Sequence, residues 1–238
     1  MNKILAIIPA RGKSKGIKNK NLAQLCNNKL IDYSIEVAKK SSCFEDIIVT
    51  SDSDQILDHS CSIFEKIEAI KRPDHLAKDT STTYEAVEHA LKMYHLSHDS
   101  VNAICVLQPT SPIRVAQHLK DACDIFFKSS KDSLISVSSP MQHPTDCIYE
   151  DQHDIKYCFG RDEKSEIRRQ DFKKTWFING SIYITDLRFF YEQKEFYSLS
   201  NCELFEMDEE YSIDIDNEFD LKVAEHVLSN IVNLEEVI

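Results

Sequence analysis

The sequence is 238 residues long, with a formal net charge of −12 and a pI near 5.2. That acidity argues against general nucleic-acid binding or attraction to an anionic membrane surface. No apolar run reaches the length of a signal-peptide core or a membrane span, so a cytoplasmic protein is expected. A hydrophobic content of 42% in periodic segments suits one α/β domain over 1–238.

In chain order, the first expected strand is Lys3–Pro9, and the loop that follows carries two of the four glycines, Gly12 and Gly16. The first 31 residues hold seven Lys/Arg and no acid, whereas the remainder holds 21 bases against 40 acids. Glycine lets a ligand approach the backbone amides, and Arg11, Lys15 and Lys20 supply counter-charge, so this loop is a candidate phosphate seat. It is neither a Walker A loop nor a G-x-G-x-x-G turn, which disfavours a kinase or a dinucleotide enzyme. Asn19 and Asn21 are polar turn residues able to touch a ligand.

A helix is expected over Leu30–Lys40, with Ile31, Ile35 and Ala38 on one face, then a strand at Asp46–Thr50. Arg72-Pro73 lies just past a further strand candidate. Thr82–Leu96 repeats Tyr84, Val87, Leu91 and Tyr94 at helical spacing. The strand Asn102–Leu107 runs into Gln108-Pro109-Thr110-Ser111-Pro112, a proline-stiffened turn. Gln108 there offers a donor and an acceptor in one plane, which suits a pyrimidine edge. The same turn reads equally well as a helix cap built on Thr110 or Ser111.

Ser133–Val137 is the next expected strand. Pro140–Lys174 then breaks the alternation, being polar and unable to close a core of its own. Met141, Ile148, Tyr149, Ile155, Tyr157, Cys158 and Phe159 lie in it, which favours a protruding arm covered by a second copy of the chain. Arg168-Arg169 could grip a carboxylate bidentately. Asn179-Gly180 reads either as a turn or as the start of the strand Ser181–Thr185.

Residues 203–220 contain nine acids and no base. Within them, Ser212–Asp216 alternates as a strand would, placing Asp214 and Asp216 on one face about 7 Å apart. Two such carboxylates, completed by substrate phosphates, suit Mg²⁺; Asp216 could instead cap the last helix, Asn217–Ile231, whose stripe is Leu221, Ala224, Leu228 and Ile231. The eight cysteines show no C-x-x-C pair and fall mostly in apolar runs, so buried reduced thiols are expected. The alternation as a whole predicts a mostly parallel, doubly wound Rossmann-like sheet with ligands at the carboxyl ends of its strands.

Taken in order, IPARGKSKGIKNKN, KRPDHLAKDTST, LQPTSPIR, RRQDF…NGSIYI and SIDIDNEFD resemble the acylneuraminate cytidylyltransferases over nearly the whole chain. The resemblance implies transfer of CMP from CTP to a nonulosonic acid with release of pyrophosphate. It also implies a Mg²⁺ requirement and a homodimer whose arm is Pro140–Lys174. It places CTP phosphates on Arg11, Lys15, Lys20 and Asn21, and base and ribose on Arg72, Thr83 and Gln108. The sugar acid falls on Arg169, Asn179 and Tyr183, and the metal on Asp214 and Asp216; Lys20, Arg11 and the two Asp are the catalytic set. Asp146 stands where some members carry a sugar-facing lysine, and Thr83 where the family has a small polar nucleotide contact. Legionaminic acid, pseudaminic acid or ketodeoxyoctonate are the alternative sugars, and a nucleotide-binding regulator without turnover is the alternative class. The family's longer members, with an added hydrolase-like domain, are not expected at this length.

Overall fold

The first strand, β1 (Ile4–Pro9), sends Ile4, Ala6 and Ile8 into one apolar layer and Leu5 and Ile7 into another. A strand buried on both faces needs helices above and below it, and the computed structural model, which describes residues 3–95, 101–159 and 168–230, supplies them. After β1 come the short pair β2 (Gln24–Leu25) and β3 (Asn28–Lys29), then α1 (Leu30–Ser41), β4 (Ile47–Ser51), α2 (Asp54–Ile63) and β5 (Ile67–Lys71). The chain continues through α3 (Thr83–His95), β6 (Ala103–Val106), α4 (Ala116–Lys128) and β7 (Ser133–Ser138). It then forms β8 (Ile148–Asp151), β9 (Asp154–Tyr157), β10 (Phe177–Asp186), α5 (Leu187–Gln193), β11 (Cys202–Glu206) and α6 (Glu218–Asn230).

Among the described residues the main sheet has seven strands in the order β11-β7-β10-β6-β1-β4-β5. All neighbours pair parallel except β10, which runs antiparallel to both β6 and β7. The chain winds outward from β1 to β4 and β5, then returns to β6 on the other side of β1. The carboxyl ends of β1 and β6 are therefore a topological switch point, where a crevice opens between diverging loops.

The expected helix faces pack as read. Ile31, Ile35 and Ala38 of α1 join residues of α2 and α4 on one face of the sheet. Val87, Leu91 and Tyr94 of α3 join Phe190 of α5 on the other. A third cluster lies under the carboxyl edge and gathers Ile17, Ile113 and Ile215 with Ala224 and Leu228 of α6. One residue from each of three loops is thus fixed in common apolar packing. Leu96 and Ile231, the expected ends of two helices, lie outside the described residues.

The strand read as Ser181–Thr185 is longer, and Asn179-Gly180 sits inside it. Gly180 has φ +73°, and the register against β7 shifts between Ile178 and Tyr183. This is a bulge that only a residue without Cβ enters at low cost. The arm contains the hairpin β8–β9, turned by Gln152 and His153, both at positive φ. Its Ile148 and Ile155 are each 59% exposed. Residues 160–167, also assigned to the arm, lie outside the described residues. The cysteine expectation needs correction: all eight are free thiols, but only Cys105 and Cys123 are buried, and Cys61, Cys147 and Cys158 are exposed.

Candidate active site

Four parallel strands end at the same edge and deliver Arg11 after β1, Asp52 after β4, Arg72 after β5 and Gln108 after β6. The loop after β1 is cinched at Arg11–Gly12 from two sides. Asp52 accepts the Gly12 amide at 2.7 Å, and Asn21 Nδ2 donates to the Arg11 carbonyl at 2.8 Å. Lys20 opens a 3-10 turn behind Asn19, which holds the left-handed φ of 52°. Its Nζ donates to the Ile215 carbonyl at 2.8 Å and pairs with Asp216 at 3.2 Å. The first loop and the acidic turn, nearly two hundred residues apart, are thereby joined by one lysine that is only 12% exposed.

Ser212–Asp216 forms no ladder, which corrects the expected strand. A backbone bond from Ile215 N to the Thr110 carbonyl at 2.8 Å ties it to the turn after β6, and Ile215 is buried. The alternation survives without a sheet, and Asp214 and Asp216 both line the cleft. Asp216 does not cap α6. Asn217 accepts the Phe219 and Asp220 amides, and Asp220 accepts those of Asp216 and Asn217. The Asp216 carboxylate instead lines the cleft, paired with Lys20. Crowding by protein raises the Asp214 carboxyl above its usual range, against a bond from Thr110, and the neighbouring Asp216 charge adds to the rise.

On the other side, Gln108 is held through its backbone by Arg114. This guanidinium is completely buried and has no carboxylate among its hydrogen-bond partners. It donates to the carbonyls of Ser181 at 2.5 Å and Gln108 at 3.1 Å, and to Ser34 Oγ. Burial lowers its pKa to about 10, so it remains a cation at neutral pH. Arg72 is likewise buried, with Nη2 on the Thr50 carbonyl at 2.9 Å. A Cβ placed on Gly180 would lie 3.9 Å from the Tyr183 hydroxyl and 4.0 Å from Gln108 Nε2, so the bulge brings these two polar groups beside one spot. Burial, then Tyr197 and the charge of Asp214, push the Tyr183 phenol up to about 12.

Arg11, Lys20, Asn21, Arg72, Thr83, Gln108, Asp214 and Asp216 all line one cleft of about 370 Å³. The cytidylyltransferase family profile matches residues 5–237. The chain belongs to that family. It is 34% identical over 228 residues to an N-acylneuraminate cytidylyltransferase of Escherichia coli O18:K1:H7, a match covering 93% of this chain and 51% of the relative. The chain thus spans about half the length of the first curated relatives it matches. A CMP-N,N'-diacetyllegionaminic acid synthase of Legionella pneumophila is 32% identical, with 95% of this chain and 96% of that protein covered. The fold is also that of a solved CMP:2-keto-3-deoxy-manno-octonic acid synthetase complexed with CTP, at TM-score 0.67 and 13% identity, covering 97% of this chain and 100% of that one.

Within this family member, not every expected contact reaches the cleft. Asn179 is 1% exposed and its amide is fully engaged: Nδ2 reaches Ser212 and Met207, and Oδ1 accepts from Ser136 and Ser181. It pins β10 beneath the site instead of facing a sugar, which corrects its assignment. Arg169 begins a 3-10 turn, Arg169–Asp171, and its side chain lies outside the described residues. Lys15 stands at the rim, where its ammonium is 3.3 Å from Asp79. Asp52, Asp79, Thr110 and Arg114 are participants that sequence reading missed. Asp52 had a usable signal, since it directly follows a parallel strand at its carboxyl end. Asp79 lies within KRPDHLAKDTST, but nothing in its spacing assigns it a partner.

Proposed function

We propose that the chain is a nucleotidyltransferase that joins CMP from CTP to a nonulosonic acid, N-acylneuraminate first among them, and releases pyrophosphate. The observation that carries this reading is the meeting, at the switch point, of a cation loop, a planar amide and two carboxylates in one cleft. The anomeric hydroxyl attacks the α-phosphorus in line: a new P–O bond forms, the bond to the β-phosphate breaks to free pyrophosphate, and the hydroxyl proton is released to water. Such transfer requires positioning and charge stabilisation more than covalent help from the protein. In this reading Arg11, with Lys15 at the rim, takes the leaving phosphates. Lys20, tied between loop and acidic turn, meets the charge that grows at the α-phosphate. Gln108 reads the pyrimidine edge through an amide whose backbone Arg114 holds, with Arg72 and Thr83 as the further base and ribose contacts. Tyr183 and the Gly180 bulge supply the sugar side, with Arg169 as a further sugar contact implied by its motif.

The donor set fits Mg²⁺. Asp214 and Asp216 line the cleft together, and burial and its neighbour's charge hold the Asp214 carboxyl above its usual range, a direction that a bound hard cation would oppose. Among the described residues no third His, Cys, Asp or Glu joins them, so water and substrate phosphates would complete the shell. When bound, the ion would supply charge neutralisation at the phosphates. The protein is further proposed to act as a homodimer through the arm, whose Met141, Ile148, Tyr149, Ile155 and Phe159 are exposed. Among the described residues no helix is long and apolar enough to cross a membrane, and the cytoplasm is the proposed setting.

Pyrophosphate release from CTP, with N-acetylneuraminate, legionaminic acid, pseudaminic acid and ketodeoxyoctonate offered separately, tests the reading. Release with a nine-carbon acid supports it; release with ketodeoxyoctonate alone moves the sugar assignment. Tight CTP binding without release under any acid favours the regulator.

A further inference from the structure

Asp79 reaches the cation loop from the segment between Arg72 and α3. Its Oδ1 lies 2.9 Å from Arg11 Nη1 and its Oδ2 3.3 Å from Lys15 Nζ, so each carboxylate oxygen takes one cation of the loop. Two oxygens on one centre, each bonded to one cation, is also how a phosphate group would meet Arg11 and Lys15. The residue sits in the stretch between Arg72 and α3, and neighbours on both sides of it, Ala77, Lys78, Ser81 and Thr82, line the cleft. Lys15, then Arg11, hold its carboxyl below the usual range, so it is an anion throughout the neutral range. We propose that Asp79 competes with phosphate for Arg11 and Lys15, lowering the affinity of the loop for polyphosphate and hastening the departure of pyrophosphate. The inference rests on reading the loop as the triphosphate seat.

All three side chains are partly exposed, so solvent screens these pairs and the effect is modest. Two such pairs exchanged for phosphate contacts amount to about tenfold in affinity. The rival account is that Asp79 braces the two cations in a binding geometry, in which case its loss weakens the site. Calorimetric titration with inorganic tripolyphosphate at low salt separates them. The full chain is compared with its Asp79→Asn, Asp79→Glu, Lys15→Gln and Lys15→Gln/Asp79→Asn variants. Asp79→Asn is expected to bind tripolyphosphate about tenfold more tightly than wild type. Asp79→Glu is expected to stay near wild type, and the gain is expected to shrink when Lys15 is absent. Unchanged, weakened or undetectable binding by Asp79→Asn overturns the proposal, as does an equal gain on the Lys15→Gln background. Tripolyphosphate carries neither cytosine nor sugar. Tighter binding in a protein that never consumes CTP would leave this inference standing and remove the proposed reaction.

Discussion

Gly16 lies directly against the backbone of Asp216. A Cβ placed on Gly16 would be 2.0 Å from the Asp216 carbonyl oxygen and 3.2 Å from its carbonyl carbon. The cation loop and the acidic turn are therefore in contact through main chain, and Lys20 closes the same junction from its side. Alanine at this position must push the two segments apart by roughly an ångström, and misplacement on that scale costs about 10²-fold in rate. Gly16→Ala is expected to lose about that factor in kcat/KM while the circular dichroism spectrum is kept. Activity within about threefold of wild type would show that the junction tolerates movement.

The two carboxylates are expected to matter for rate more than for folding. Asp214→Asn and Asp216→Asn should each lower turnover about 10²-fold or more, near 3 kcal/mol for a lost transition-state contact. Steady-state kinetics at saturating Mg²⁺ checks this, with thermal melting run alongside. Near-wild-type turnover in both single variants would remove the metal assignment.

Arg114 is expected to act on stability. Arg114→Ala deletes a buried cation and strips donors from two carbonyls and a hydroxyl. A loss of about 3 kcal/mol or more is expected in urea unfolding, because charged hydrogen bonds are lost and buried acceptors are left bare. A loss below about 1 kcal/mol would mean that water replaces the guanidinium without cost.

His118 links stability to pH. Its Nδ1 accepts the Val115 amide at 3.3 Å at the start of α4, which requires the neutral ring, and burial holds its pKa below the ordinary histidine value. In the window between that lowered value and the ordinary one, the unfolded chain binds more protons than the folded one. Stability therefore falls as pH drops through this window. His118→Gln keeps an acceptor but not the titration. Its melting temperature should fall less than that of wild type between about pH 7 and pH 5. Parallel curves for the two proteins would contradict the account.

The arm should be the dimer contact. Ile148→Asp with Ile155→Asp places two charges on the exposed hairpin face and is expected to convert dimer to monomer in light scattering. A wild-type species of 27.5 kDa with full activity would contradict this.

The sheet was legible because β1, β4 and β6 are short apolar runs and α1 and α3 repeat at helical spacing. Helix α2 and strand β11 were missed, and β5 and α4 were read only without bounds, as a strand candidate before Arg72 and a helix after the proline turn, since their apolar residues are interspersed with polar ones and tertiary packing decides them. The acidic pair was read correctly in its direction and wrongly in its setting. Alternation puts Asp214 and Asp216 on one side whether or not the segment joins a ladder. Asn179 was misassigned because a polar residue beside a site looks the same in sequence whether it faces substrate or props the strand. Arg114 and Asp79 lie inside motifs visible in the sequence, but their roles were not legible, for a related reason. Their roles come from partners 67 and 68 positions away, Ser181 and Arg11, which no local pattern reports.

The most direct test is phosphorus NMR of the purified chain with CTP, Mg²⁺ and each nonulosonic acid in turn. Equimolar CMP-sugar and pyrophosphate are expected with at least one nine-carbon acid, and neither product with the Asp214→Asn chain. CTP unchanged with every acid, under conditions where the wild-type chain is folded and binds CTP, would contradict this.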